Sequence, residues 1–142
     1  MRGKLITTAL LALLFLAAGR NAAADDLTGA QSLLCTAVQA TLCSDEADCV
    51  TQSPWDLNIP QFLELNLKDK KMSTTKASGE DRSTPIRTLE REDGLIFVQG
   101  IEMGRAFSFV ISEKTGMLSV AVARDGKAVS VFGACTPLSA GK

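Results

Sequence analysis

The sequence predicts an all-β protein: a small antiparallel up-and-down β-barrel, a meander of seven to nine short strands preceded by a short N-terminal helix. Two observations predict it. Apolar and polar residues alternate in short runs along most of the chain, and turn signals separate these runs at nearly even spacing. Because nearly every connection is short enough for a hairpin, we favour the barrel over a β-sandwich, whose Greek-key crossings need longer connections.

Residues 1–24 have the pattern of a secretory signal peptide. A basic start is followed by an apolar run over residues 5–18 and by three alanines at residues 22–24. The run is short for a bilayer span, so we expect cleavage after residue 24 and no membrane span in the mature protein. We therefore expect a periplasmic or secreted bacterial protein with one domain over residues 25–142.

The charge balance of the exported part argues against two classes of partner. All 16 acidic residues but only 12 of the 15 basic residues follow residue 24, which leaves a net charge of −4. Binding to nucleic acid needs a basic face that neutralises phosphates. Docking on anionic lipid needs the same kind of face. We expect neither partner.

The first half of the domain combines the predicted helix with short strands. We predict the helix over residues 25–34 from its amphipathic spacing. A turn at Asp69-Lys70 places Leu67 opposite Met72. The last strand of this half is charged, which is typical of a sheet edge. The strands are predicted over residues 36–43, 48–51, 62–67, 72–74 and 86–91.

The second half, residues 93–135, carries the strongest pattern. Glycine-bearing turns end at Gly94, Gly104, Gly116 and Gly126. Asp125-Gly126 predicts a two-residue type I′ hairpin. With these turns the alternating apolar residues share one face, because a slip of one residue would separate them. This inner face comprises Ile96, Val98, Phe107, Phe109, Ile111, Leu118, Val120, Val122, Val129 and Val131. Their bulk predicts a filled interior.

The opposite face carries a row of neighbours in the same register: Phe97, Val110, Ser119 and Phe132. We call it the outer row. It is a candidate interaction patch, and the alternative is that the N-terminal helix or the loop around Trp55 covers it. Trp55 lies in a proline-containing loop. We expect it to plug one end of the core, and the alternative is an exposed anchor for a partner.

Four cysteines in a small exported chain predict two disulfides. Three connectivities are possible. We favour Cys43–Cys49, which flank a tight turn, and Cys35–Cys135, which would tether the first strand to the last. We call these the turn disulfide and the closing disulfide.

The composition is poor in groups that carry chemistry. The chain has no histidine, which removes the commonest general base and the commonest metal ligand. Paired cysteines would leave no thiol nucleophile. Asp45, Glu46 and Asp48 lack the spacing of a calcium loop and suit a solvated turn better. We expect no enzymatic activity, no cofactor and no metal site.

The cysteines, read with the stretches 60–63 (Pro-Gln-Phe-Leu) and 133–136 (Gly-Ala-Cys-Thr), resemble those of small uncharacterised secreted proteins of proteobacteria. The overall plan also resembles periplasmic β-barrel inhibitors of lysozyme. The second resemblance is one of architecture, because the inhibitory loop motif of those proteins is not found here. No site residue follows from either resemblance.

Together these features predict a non-enzymatic exported binding module. Its partner would be a protein or another envelope component, and an inhibitor-like role is included. The alternative is a lipocalin-like carrier of small molecules, which needs an apolar lumen of roughly 300 Å³ or more.

Overall fold

The computed structural model of the protein describes residues 26–138. They form an all-β fold of antiparallel strands with two single-turn 3-10 helices, Pro54–Leu57 and Lys76–Ser78. The predicted signal peptide and its cleavage site lie outside the described residues. The strands are β1 (Ser32–Ser44), β2 (Val50–Gln52), β3 (Phe62–Asn66), β4 (Lys71–Thr74), β5 (Ser83–Pro85), β6 (Thr88–Glu92), β7 (Leu95–Glu102), β8 (Arg105–Ser112), β9 (Met117–Arg124) and β10 (Lys127–Pro137).

The strands form one sheet that curls into a half-barrel in the order β5-β4-β3-β1-β10-β9-β8-β7-β6. β2 pairs only with the second half of β1. Among residues 26–138 no ladder joins β5 to β6, so the hydrogen-bonded sheet has two edges. Ile86 and Arg87 connect the two edge strands, β5 and β6. β6 is an edge strand, as its charged sequence predicted.

The register of the meander β7–β10 is confirmed residue by residue. Val122 lies opposite Val129, and Phe109 lies between Val98 and Val120. The inner face predicted from alternation is the one that packs into the core. Alternation and turn signals therefore sufficed to assign both faces of four strands.

One turn of this meander differs from the prediction. Gly126 has a φ of +65°, but Asp125 does not share the positive φ that a type I′ turn needs at both positions. The backbone amide of Asp45 donates to the Gly126 carbonyl at 3.1 Å. The loop that follows β1 is therefore hydrogen-bonded to this turn of the β9–β10 hairpin. Met103-Gly104, by contrast, has positive φ at both residues.

The predicted N-terminal helix over residues 25–34 is wrong within the described range. Residues 26–31 form a turn, and β1 already begins at Ser32. Two hydrogen bonds from Thr28 lower the pKa of the Asp26 carboxyl, and the bond from the side chain has a larger effect than the bond from the backbone. The turn delivers Leu27 into the core, where it is fully buried and its amide donates to the Glu113 carbonyl at 2.7 Å. The burial of Leu27 stabilises this turn more than the amphipathic spacing of residues 25–34 stabilises a helix.

Both predicted disulfides are present. The closing disulfide joins directly opposed residues of β1 and β10, and the turn disulfide spans the loop between β1 and β2. β1 carries a bulge between Ala37 and Gln39. Such a bulge bends the strand and increases its twist. The curl of the sheet at β1 is consistent with this irregularity.

Candidate functional site

The outer row lies where the sequence placed it. Phe97 pairs with Val110, Val110 with Ser119, and Ser119 with Phe132. Phe97 and Val110 are half-buried, while Phe132 keeps 50% of its surface exposed. The N-terminal helix that was expected to cover this face is absent from the described residues. Residues 26–31 form a turn that buries Leu27 in the core instead. The row is therefore open to solvent at its Phe132 end.

The outer row belongs to a larger uncharged surface, which we call the outer face. It comprises the outward side chains of β7, β8, β9, β10 and β1, and none of them is charged. Most are alanine, serine and threonine. Charge reappears on the flanking strands, at Glu64 on β3 and at Glu90 and Glu92 on β6. In a chain with 22% charged residues such a surface is unusual.

Trp55 does not plug the core, and that prediction is wrong. It lies on the 3-10 helix Pro54–Leu57 with 58% of its surface exposed. Pro54 is buried, and Leu57 and Ile59 pack against the core in its place. The apolar neighbours thus fill the space at this end. Trp55 is available as an exposed aromatic side chain.

The curled sheet encloses a cavity that the sequence did not predict. Its volume is about 120 Å³, and its walls come from β1, β3, β4, β5 and β7–β10. Well-packed interiors hold few spaces larger than a water molecule. The walls are mainly apolar, with Leu63, Met72, Phe107, Phe109, Leu118, Val120, Val122, Val129 and Val131.

A polar cluster lies at the mouth of this cavity, and we call it the mouth cluster. Thr84 on β5 is buried and donates from Oγ1 to Glu102 Oε1 at 2.8 Å. Glu102 Oε2 lies 3.8 Å from Arg82 Nη1 and 3.6 Å from Arg105 Nη2. Arg82 also pairs with Glu80 at 2.6 Å. The cluster thereby joins β5 to the β7–β8 hairpin.

The mouth cluster includes one donor without a partner. Arg82 Nε is buried and has no hydrogen-bond acceptor among residues 26–138. A buried donor that stays unpaired costs roughly 1–3 kcal/mol. Such a donor in a native structure calls for an explanation. Arg82 lines both the cavity and a shallow depression outside it.

The opposite end of the half-barrel is closed. The 26–31 turn covers it, with Leu27 buried and the Ala30 carbonyl accepting from Arg91 Nη2 at 2.6 Å. Arg91 Nη1 also pairs with Glu113. The interior is therefore a cup with one charged mouth and one apolar floor.

The sequence did hold a signal for this mouth. Strand alternation places Glu102, Arg105, Arg124 and Lys127 on the inner face, at the two hairpin turns of the same end. Of these four residues, Glu102 and Arg105 line the cavity at its mouth. The predicted inner face included only its apolar residues, and the charged residues at its ends were not considered as part of it.

Over residues 26–138 no group of three histidine, cysteine or carboxylate side chains is placed to hold a metal ion. All four cysteines are disulfide-bonded. The same range has no helix with the length and apolar character needed to cross a membrane. Comparison of the chain with protein-family models, curated proteins and solved structures finds no match.

Proposed function

We propose that the protein is a non-enzymatic binding module, exported to the periplasm or secreted, that binds a protein partner through the outer face. The observation that carries this proposal is the uncharged surface of five adjacent strands, bounded by acidic residues on both sides. Interface cores are depleted in charge and enriched in aromatic residues. Phe132 supplies an exposed aromatic at this surface.

The size of the outer face is close to that of a standard interface. The five strands contain 13, 11, 8, 8 and 8 residues, and at the usual strand spacing and rise they cover roughly 700–800 Å². Stable complexes bury about 800 Å² on each partner. We therefore expect a stable complex if the partner covers the whole outer face and a transient one if it covers only part of it.

Two disulfides in a chain of this size are typical of an oxidising, extracytoplasmic environment. The pattern of residues 1–24 supports export by a signal peptide. We further propose that the half-barrel behaves as a closed barrel in solution. The bond from Thr84 on β5 to Glu102 on β7 supports this closure, because it joins β5 to the end of β7 that extends beyond the Thr88–Gln99 pair of the β6–β7 ladder.

The lipocalin-like carrier remains the second candidate. A carrier of drug-sized ligands needs a lumen of roughly 300–1,000 Å³. The cavity of about 120 Å³ is below this range. The protein-binding function therefore comes first.

The test is capture of partners from envelope extract by the purified protein, followed by mass spectrometry. Each protein recovered is then purified and its Kd measured against three forms of the bait. Phe132→Glu places a charge in the outer row and should weaken binding at least tenfold. Met103→Glu is the matched control, because Met103 is an exposed apolar residue in the β7–β8 turn, away from the outer row.

Equal affinity of the wild type and Phe132→Glu for every recovered protein would contradict the proposal. Analytical ultracentrifugation of the same variants tests self-association. A dimer that Phe132→Glu dissociates would identify a second copy of the chain as the partner. Recovery of a non-protein envelope component alone would replace the protein partner.

A further inference from the structure

We infer that the cup is a binding site for a small uncharged molecule with one ring-sized apolar body and one oxygen acceptor. The apolar body would occupy the cavity, and the oxygen would accept from Arg82 Nε at the mouth. This site is separate from the outer face. It does not depend on the proposed function and can fail independently of it.

The apolar lining and the volume set the body of the ligand. Side chains such as Phe109, Val120 and Val131 line the cavity, and no charged residue lies among them below the mouth. An apolar protein cavity of about 150 Å³ is large enough to bind benzene. A cavity of about 120 Å³ is somewhat smaller, but its open mouth lets part of a ligand extend outward, so it suits a single aromatic ring or a short branched chain. It is too small for a lipid tail.

Arg82 sets the polar atom of the ligand. Its Nη atoms already face Glu80 and Glu102, whereas Nε is buried without an acceptor among the described residues. Nε can only donate, so the group that satisfies it must be an acceptor. A carbonyl, ether or hydroxyl oxygen on a ligand in the cavity would meet this requirement.

The charges around the mouth set the overall charge of the ligand. Arg82 and Arg105 line the cavity and the depression outside it, and Glu80, Asp81 and Glu102 share this lining. Both guanidinium groups are already paired with carboxylates. The lining therefore holds no excess positive charge for an anion. An uncharged acceptor avoids repulsion from the three carboxylates.

The experiment is an NMR titration of the disulfide-bonded protein labelled at valine methyl groups. Acetophenone, benzene and benzoate are the probes, since they share one ring and differ in acceptor and charge. Acetophenone should shift the methyl resonances of the cavity valines until the site is saturated. Its Kd should be at least threefold lower than that of benzene or benzoate. The reporter methyls belong to Val120, Val122, Val129 and Val131, all of which line the cavity.

Three variants of the site and one control variant separate the site from the rest of the fold. Val122→Phe and Ala37→Leu each fill the cavity from a partly buried position and should weaken acetophenone binding at least tenfold. Arg82→Lys keeps the charge but removes the Nε donor, so acetophenone should bind no tighter than benzene. Phe132→Ser on the outer row is the control and should bind acetophenone like the wild type.

Three results would overturn the inference. One is the absence of saturable shifts with acetophenone. Another is tighter binding of benzoate than of acetophenone. The third is unchanged affinity in a cavity-filling variant whose melting temperature and methyl spectrum show that it is folded. Two filling variants are included so that loss of folding in one leaves the other informative.

Discussion

Replacement of Gly133 by alanine should be among the most destabilising single-methyl changes in this protein. Gly133 lies on β10 opposite Ala37, next to the bulge of β1. A Cβ at this position would clash with the Thr36 carbonyl oxygen and lie 3.0 Å from its carbon. Both are backbone atoms within the β1–β10 ladder, so they cannot rotate away as a side chain could. Glycine inside a strand often marks such a close backbone approach.

The magnitude follows from what must move. Overpacking in a core costs about 1–3 kcal/mol. Relief of the clash also requires β1 and β10 to separate near the closing disulfide, which weakens one or two ladder hydrogen bonds at about 1 kcal/mol each. We expect a loss of about 2–5 kcal/mol from a total free energy of unfolding of about 5–15 kcal/mol.

Urea denaturation of the oxidised protein, followed by circular dichroism, measures this loss. Gly94→Ala is the matched control. Gly94 has a φ of +76°, but nothing lies within 4 Å of its added Cβ. The control should lose only about 1–2 kcal/mol, the usual cost of a left-handed backbone for alanine. A loss at Gly133 no larger than that at Gly94 would refute the reasoning from backbone contact.

The remaining predictions concern turns, cross-links and the N-terminal segment. Met103 has a φ of +48° before Gly104, so Met103→Asn should stabilise the protein by up to about 1 kcal/mol in thermal melts, since asparagine tolerates this conformation; an unchanged or lower melting temperature would contradict it. Replacement of both cysteines of the closing disulfide by alanine should cost about 4.7 kcal/mol in urea denaturation, because its sequence separation of 100 closes a long loop, against roughly 2 kcal/mol for the turn disulfide with its separation of 6; equal costs would exclude this explanation from the entropy of the unfolded chain. Because its pKa is lowered in the folded protein, Asp26 should contribute stability above its ordinary pKa of 3.8, and this contribution should disappear as the pH falls through the lower folded value. An NMR titration of the Thr28 amide, which donates to Asp26 Oδ1 at 2.9 Å, should therefore have a midpoint below 3.8, and a midpoint at or above 3.8 would contradict the hydrogen-bonded turn.

The sequence predicted features that depend on neighbours along the chain. The partners of Phe109 and Val110 followed from turn length and alternation, because a two-residue or four-residue loop leaves one register that keeps the apolar residues together. Where a turn was misjudged, the register shifted with it. Met72 pairs with Leu65 and not with Leu67, because Asn66 bonds to Asp69 and closes a four-residue loop in place of a two-residue turn.

Some features of the candidate sites could be predicted from local sequence, and others could not. The outer row could be predicted because it is the complement of the core face within one sheet. The positions of Trp55 and Leu27 could not be predicted, because each depends on which apolar side chains pack into the core of the folded protein. Local spacing favoured a plug at Trp55 and a helix around Leu27. The packing of Leu57 and Ile59 and the burial of Leu27 decided otherwise.

The sequence by itself determined most of the strands, their register in the second half of the chain and the outer row, and it favoured the pairing of the cysteines that the structure has. Each of these depends on alternation, turn chemistry or spacing, which act over a few residues. Only the tertiary structure decided the cup, its mouth cluster and the half-open gap between β5 and β6. These depend on how far the sheet curls, and curl sums small twists over ten strands that no local pattern records.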